Sequence, residues 1–105
     1  MFKIVFFVPE SHKETVKMAV FEAGAGKIGD YDQCAWEVAG TGQFRPLQGA
    51  TPYIGDVGKA ETVAEYRVEL VCDDQCVVDA ITALKQAHPY EEPAFDVWKL
   101  HDINV

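Results

Sequence analysis

The stretch from Val63 to Cys72 constrains the fold most. Tyr66, Val68, Leu70 and Cys72 alternate with Glu65, Arg67 and Glu69, an apolar side and a charged side at a period of two. That period belongs to a strand with one face on a core and one toward water. Lys3 to Val8 (KIVFFV) behaves differently: it is apolar throughout, rich in β-branched and aromatic residues, and closed by Pro9. Such a run suits a strand buried on both faces, hence a central one. A sheet with one wet face and one apolar face needs a layer of helices on the apolar side.

Two helical patterns supply it. Val16, Ala19, Val20 and Ala23 fall at i, i+3, i+4 and i+7, and Gly24 follows where a helix ends in a left-handed residue. Ser11 and Glu14 have the spacing of a capping box at its start. Val77, Ala80, Ile81, Leu84 and Ala87 make the second stripe, with Asp73 or Asp74 as cap and Pro89 as stop. Asp32 to Thr41 places Cys34, Trp36 and Val38 on one alternating face, and Ala94 to Leu100 gives a last strand containing Trp98. Between Gly40 and Gly58 lie five of the eight glycines, with Pro46 and Pro52, but also Phe44, Tyr53 and Ile54. Interspersed aromatics predict an ordered, extended hairpin excursion rather than a linker.

The order is β-α-β-β-α-β, and the fold class is α+β. Two right-handed crossovers joined by a hairpin give a four-stranded antiparallel sheet with both helices on one face, the ferredoxin-like arrangement. At 105 residues the chain suits a single domain spanning residues 1–105. Glu65, Arg67 and Glu69 are expected in solvent on the open face, where exposed apolar side chains would invite self-association.

Composition removes several functions. Nine Lys and Arg against seventeen Asp and Glu give a formal charge of −8, which argues against a nucleic-acid surface. No run approaches the length that spans a bilayer. The apolar opening, Met1 to Pro9, has one Lys and no small-residue cleavage pattern, a poor signal peptide. Cys34, Cys72 and Cys76 form an odd set without CxxC spacing, and read as reduced, mostly buried thiols of a cytoplasmic protein. Gly24 to Gly29 matches GxGxxG, yet it follows a helix and precedes a strand, so no helix start meets a pyrophosphate there. A helix cap and tight turn are the expectation.

The richest cluster is His88-Pro89-Tyr90-Glu91-Glu92-Pro93. Two prolines stiffen a loop carrying an imidazole, a phenol and two carboxylates, groups that suit hydrogen bonding to a ligand or coordination of a cation. His88, Tyr90, Glu91 and Glu92 are therefore the candidate ligand-binding residues. The topology puts this loop, the turn from Pro9 to His12 and the hairpin tip at one end of the sheet. His12, His88, Glu91 and Glu92, with Glu10 nearby, form an alternative divalent-metal set. No catalytic residue is specified.

Gly24 to Gly55 (GAGKIGDYDQCAWEVAGTGQFRPLQGATPYIG) and Ala87 to Val97 (AHPYEEPAFDV) resemble the YqfO / NIF-three-like family, specifically the middle domain inserted in its longer bacterial members. Trp36 and Phe95 depart mildly from the residues expected there. The resemblance implies a domain similar to the PII and CutA proteins, occurring here as a separate chain and prone to trimeric assembly. In long members the two-metal centre draws its ligands from the flanking halves, and nothing in these 105 residues matches those ligands. The resemblance thus favours a non-catalytic, homo-oligomeric module that binds a small molecule or regulates. A CutA-like divalent-metal binder is the alternative, and a metal-dependent GTP-cyclohydrolase-like hydrolase follows from the family name alone.

Overall fold

A computed structural model describes residues 1–103. Its elements run β1 (Phe2–Pro9), α1 (Glu10–Glu22), β2 (Trp36–Phe44), β3 (Glu61–Cys72), α2 (Val77–Ala87) and β4 (Phe95–Lys99). The four strands form one antiparallel sheet in the order β2-β3-β1-β4, the ferredoxin-like topology expected from the sequence. β1 is central as its composition required: Ile4, Phe6 and Val8 are fully buried on the helix side, and Val5 is buried on the other. Against them pack Val68, Leu70 and Cys72 of β3, with Val16 and Val20 of α1 and Ala80 and Leu84 of α2. No helix among the described residues is long and apolar enough to cross a membrane.

Gly24 takes φ +108° just beyond α1. Its N–H donates to Phe21 O at 3.0 Å, and the Ala25 N–H donates to Val20 O at 3.1 Å, the paired bonds of a Schellman termination. The GxGxxG stretch is therefore a helix stop followed by a turn.

The predicted caps do not form. α1 starts at Glu10 with Pro9 as its N-cap and no side-chain cap bond, so Ser11 already lies inside the first turn. Pro9 in extended geometry leads the chain into the helix without a polar cap. α2 is flanked by Cys76 rather than Asp73 or Asp74, and Asp74 pairs instead with the terminal ammonium of Met1 and, at 2.7 Å, with Lys99. Cys34 precedes β2 instead of lying within it, its N–H donating to Gly26 O at 2.9 Å. β2 runs further than its alternation suggested, through Gly40 and Gly42 to Phe44, because its pairing with β3 is uninterrupted from Trp36↔Glu69 to Phe44↔Glu61.

The open face carries Trp36 and Val38 of β2, Arg67 and Glu69 of β3, Lys3, Val5 and Phe7 of β1, and Trp98 of β4. Glu69 sits between Arg67 (2.9 Å) and Lys3 (3.8 Å), and the Arg67 guanidinium lies 5.9 Å from the Phe7 ring centre. Trp36 remains 60% exposed and Trp98 46%. At one end of the sheet the Leu100 N–H donates to Met1 O at 3.0 Å, joining the start of β1 to the segment leaving β4. The hairpin loop projects from the other end and draws the molecule out to 51 × 24 × 24 Å.

Candidate functional site

The loop between β2 and β3 is tied by its own main chain. The Gly58 N–H donates to Pro46 O at 2.8 Å and the Ala50 N–H to Leu47 O at 3.0 Å. It folds back toward the loop that joins α2 to β4, and the Thr51 N–H donates to Glu91 Oε2 at 3.0 Å between them. A cleft of about 430 Å³ lies where they meet. Phe44, Pro46, Pro52, Tyr53 and Ile54 form one wall, Tyr90, Glu91, Glu92 and Ala94 the other, and Phe7 and Glu65 line it from the sheet. That volume is in the range of small-molecule sites.

His88 ends α2 in extended geometry, as a residue before proline does, and is only 6% exposed. Its Nε2 stands 2.7 Å from Phe7 O, an acceptor, so Nε2–H donates. Its Nδ1 accepts the Tyr90 N–H at 3.1 Å. These two bonds specify a neutral ring and use both nitrogens. Burial lowers the ring's pKa, opposed by the bond to Phe7 O and by Glu65, with His12 adding to the lowering. His88 thus fixes the loop's course rather than lining the cleft.

Tyr90 centres an aromatic group, its ring 4.8 Å from His88 and 6.2 Å from both Phe44 and Tyr53. Its hydroxyl is buried without a hydrogen-bond partner among the described residues. Burial, and then the neighbouring Glu65 carboxylate, hold the phenol well above its ordinary range, so it stays protonated. Glu65 acts both as the nearby acceptor toward which the hydroxyl can donate and as a negative charge that disfavours the phenolate. Glu91 and Glu92 are exposed at the rim.

His12 lies on the first turn of α1, its Nδ1 2.8 Å from Ser11 Oγ and its ring edge-on to Tyr53 at 5.7 Å. The fold thus gathers the Pro9–His12 turn, the hairpin loop and the 88–93 loop at one end. It does not assemble His12, His88, Glu91 and Glu92 into a ligand set: no group of three or more His, Cys, Asp or Glu side chains suited to a metal occurs among the described residues. The physical reason is local. Both His88 nitrogens are bonded to main chain, and Glu91 holds Thr51. Among the described residues, these four donors do not come together as a ligand set for a divalent cation.

Cys72 is buried, whereas Cys34 and Cys76 are half-buried; all three are free.

Glu65 is the residue that alternation alone misplaces. It lies on the face opposite the helices, as expected, but is half-buried in the cleft instead of solvated, whereas Glu69 is half-buried between its ion-pair partners and Arg67 is exposed. Glu65 pairs directly with Gly40 across the strands, and its carboxylate lies over Gly42, where a Cβ would collide with Oε1. An acid opposite a G-x-G run was the available signal: bare backbone lets the side chain lie down along the sheet. Finding it required the register.

No protein-family model matches the chain. A Mycobacterium tuberculosis protein named "GTP cyclohydrolase 1 type 2 homolog" is 55% identical over 98 residues, covering 93% of this chain and 26% of its own length. The chain therefore spans about a quarter of the relatives that it matches. The crystal structure of a Bacillus cereus protein related to NIF3 superposes at TM-score 0.82 and 40% identity, over 96% of this chain and 26% of that one. CutA1 from Pyrococcus horikoshii shares the fold at TM-score 0.67 and 21% identity, over 99% of this chain and 87% of that one.

Proposed function

We propose that this chain, a homologue over 93% of its length of one segment of the NIF3-related GTP cyclohydrolase 1 type 2 homologs, is a self-associating module that holds a small ligand without transforming it. The carrying observation is the cleft between the hairpin loop and the 88–94 loop, with the Tyr90 hydroxyl buried and unpartnered beside it. A buried hydroxyl without a partner costs about 1–3 kcal/mol, a cost that an occupant accepting or donating a hydrogen bond there removes. Glu91 fixes the spacing of the two walls, Tyr90 offers the polar contact, and His88 holds the Tyr90 backbone in place.

Self-association draws on the open face, where Trp36, Val38 and Trp98 stand exposed on the two edge strands beside the Lys3–Glu69–Arg67 ion pairs. Exposed tryptophans near a well-ordered sheet are favoured at interfaces. A trimer is the assembly that the PII- and CutA-like resemblance implies. The hydrolase reading takes its support from the name of relatives about four times as long, and the divalent-metal reading from the CutA likeness; neither draws on a metal-ligating cluster among the described residues.

Native mass spectrometry of protein purified without added metal or nucleotide tests both parts. A trimeric mass with a reproducible small-molecule surplus is expected. A bare monomer would overturn self-association, and a surplus equal to single metal ions would replace the small-molecule reading with the metal one.

A further inference from the structure

The inner end of the cleft has a charge that the fold leaves unmatched. Glu65 is half-buried, and no Lys, Arg or His pairs with it among the described residues. Its neighbour on the same face, Arg67, is taken by Glu69. Gly42 leaves room for the carboxylate in this position, and a side chain there would displace it. Beside it the Tyr90 hydroxyl has no partner. The hydroxyl is close enough to Glu65 to offer it a proton, but a neutral phenol leaves the carboxylate's charge unbalanced, and a half-buried charge without a counter-charge marks the place of a missing cationic donor.

The rest of the lining specifies that moiety's charge. Three carboxylates, Glu65, Glu91 and Glu92, face a single guanidinium, Arg45, which is exposed. An anion would meet Glu65 in a partly desolvated place, where like charges cost most. Phe44, Tyr53 and Tyr90 surround the same space, and aromatic faces attract cations. Resting on the reading of this cleft as a ligand site, we infer that its occupant is an organic cation, a protonated amine or amidine on a flat or apolar body. The N–H donors meet the Glu65 carboxylate, which the Tyr90 hydroxyl backs from the protein side. The body lies among Phe44, Pro52, Tyr53 and Ile54.

Three probes with one ring and three charges test this on the whole chain: benzamidine, benzamide and benzoate, titrated at millimolar concentration. Backbone amide NMR shifts of Thr51, Glu65 and Tyr90 locate binding. Benzamidine is expected to bind roughly tenfold more tightly than benzamide, the worth of one charge-assisted hydrogen bond, and benzoate more weakly than either. Glu65→Gln is expected to remove the advantage of benzamidine over benzamide, and Gly42→Ala to reduce it by dislodging the carboxylate. If all three probes shift these amides with equal affinity, the cation inference is overturned and the ligand cleft stands. If none shifts them, both fall. An unchanged preference in Glu65→Gln also overturns the assignment. Should that variant fail to fold, the order of the three probes on the unmodified chain still decides.

Discussion

Replacing His88 with alanine strips two main-chain groups of their partners at once. Phe7 O loses the Nε2–H bond at 2.7 Å, and the Tyr90 N–H loses Nδ1 at 3.1 Å. A buried backbone group left unsatisfied costs about 1–3 kcal/mol, so the pair costs about 2–6 kcal/mol. The Tyr90 amide borders the cleft, where water can replace the ring, which puts the total near 3 kcal/mol. For a chain of this size that corresponds to a fall in Tm of roughly 12 °C. Urea unfolding at pH 7.5, at one fixed protein concentration because self-association would couple to stability, measures it directly. A second arm uses pH. Above about 6.5 the ring is neutral in both states and exerts no pH effect. Below that value the unfolded chain takes up a proton that the buried ring resists, so wild-type stability falls, by at most about 1.4 kcal/mol per pH unit, until the folded ring itself is protonated. His88→Ala lacks this component, while His12 and His101 remain in both proteins as background. A variant within about 0.5 kcal/mol of wild type, the range of ordinary surface substitutions, would refute the account of His88. So would an identical acid slope in the two proteins.

Gly24→Ala is expected to lower the urea midpoint by an amount worth about 1–3 kcal/mol, because it forces φ +108° on an L-residue. Its Cβ would also lie 2.8 Å from Cys76 Sγ. Trp36→Glu places a charge on the exposed edge of the open face; light scattering should show a smaller particle with an unchanged far-UV spectrum, and an unchanged mass would remove this face from the interface. Burial pushes the Cys72 thiol up to about 11. At pH 8 iodoacetamide should therefore label Cys34 while Cys72 reacts only in urea, and peptide mapping showing equal native labelling would contradict that burial.

The parts of the fold written in periodicity were legible. Val68, Leu70 and Cys72 on one side of β3, the all-apolar β1 and the two helical stripes determine a sheet with one layer of helices, and Gly24 and Pro89 mark where those helices stop. Capping was less legible, because Asp74 has competing partners in Lys99 and the Met1 ammonium that lie far off in sequence. The candidate site divides in the same way. The 88–93 loop stood out by composition, but the role of His88 depends on Phe7 O, eighty-one residues away. Glu65 was assigned its face correctly and its surroundings wrongly. Alternation says which way a side chain leaves the sheet, not what later folds over it, and here a loop of residues 45–60 does so.

The bond between Leu100 and Met1 bears on how such a unit sits in a longer polypeptide. Because β1 and β4 are antiparallel neighbours, a backbone arriving at residue 1 and departing after residue 100 does both at one spot. A host loop opened to receive this unit would have its cut ends held side by side, nearly as they were before. The cleft lies at the opposite end of the 51 Å long axis from these paired ends, so joining the unit to a longer chain there would leave its lining residues out of the junction.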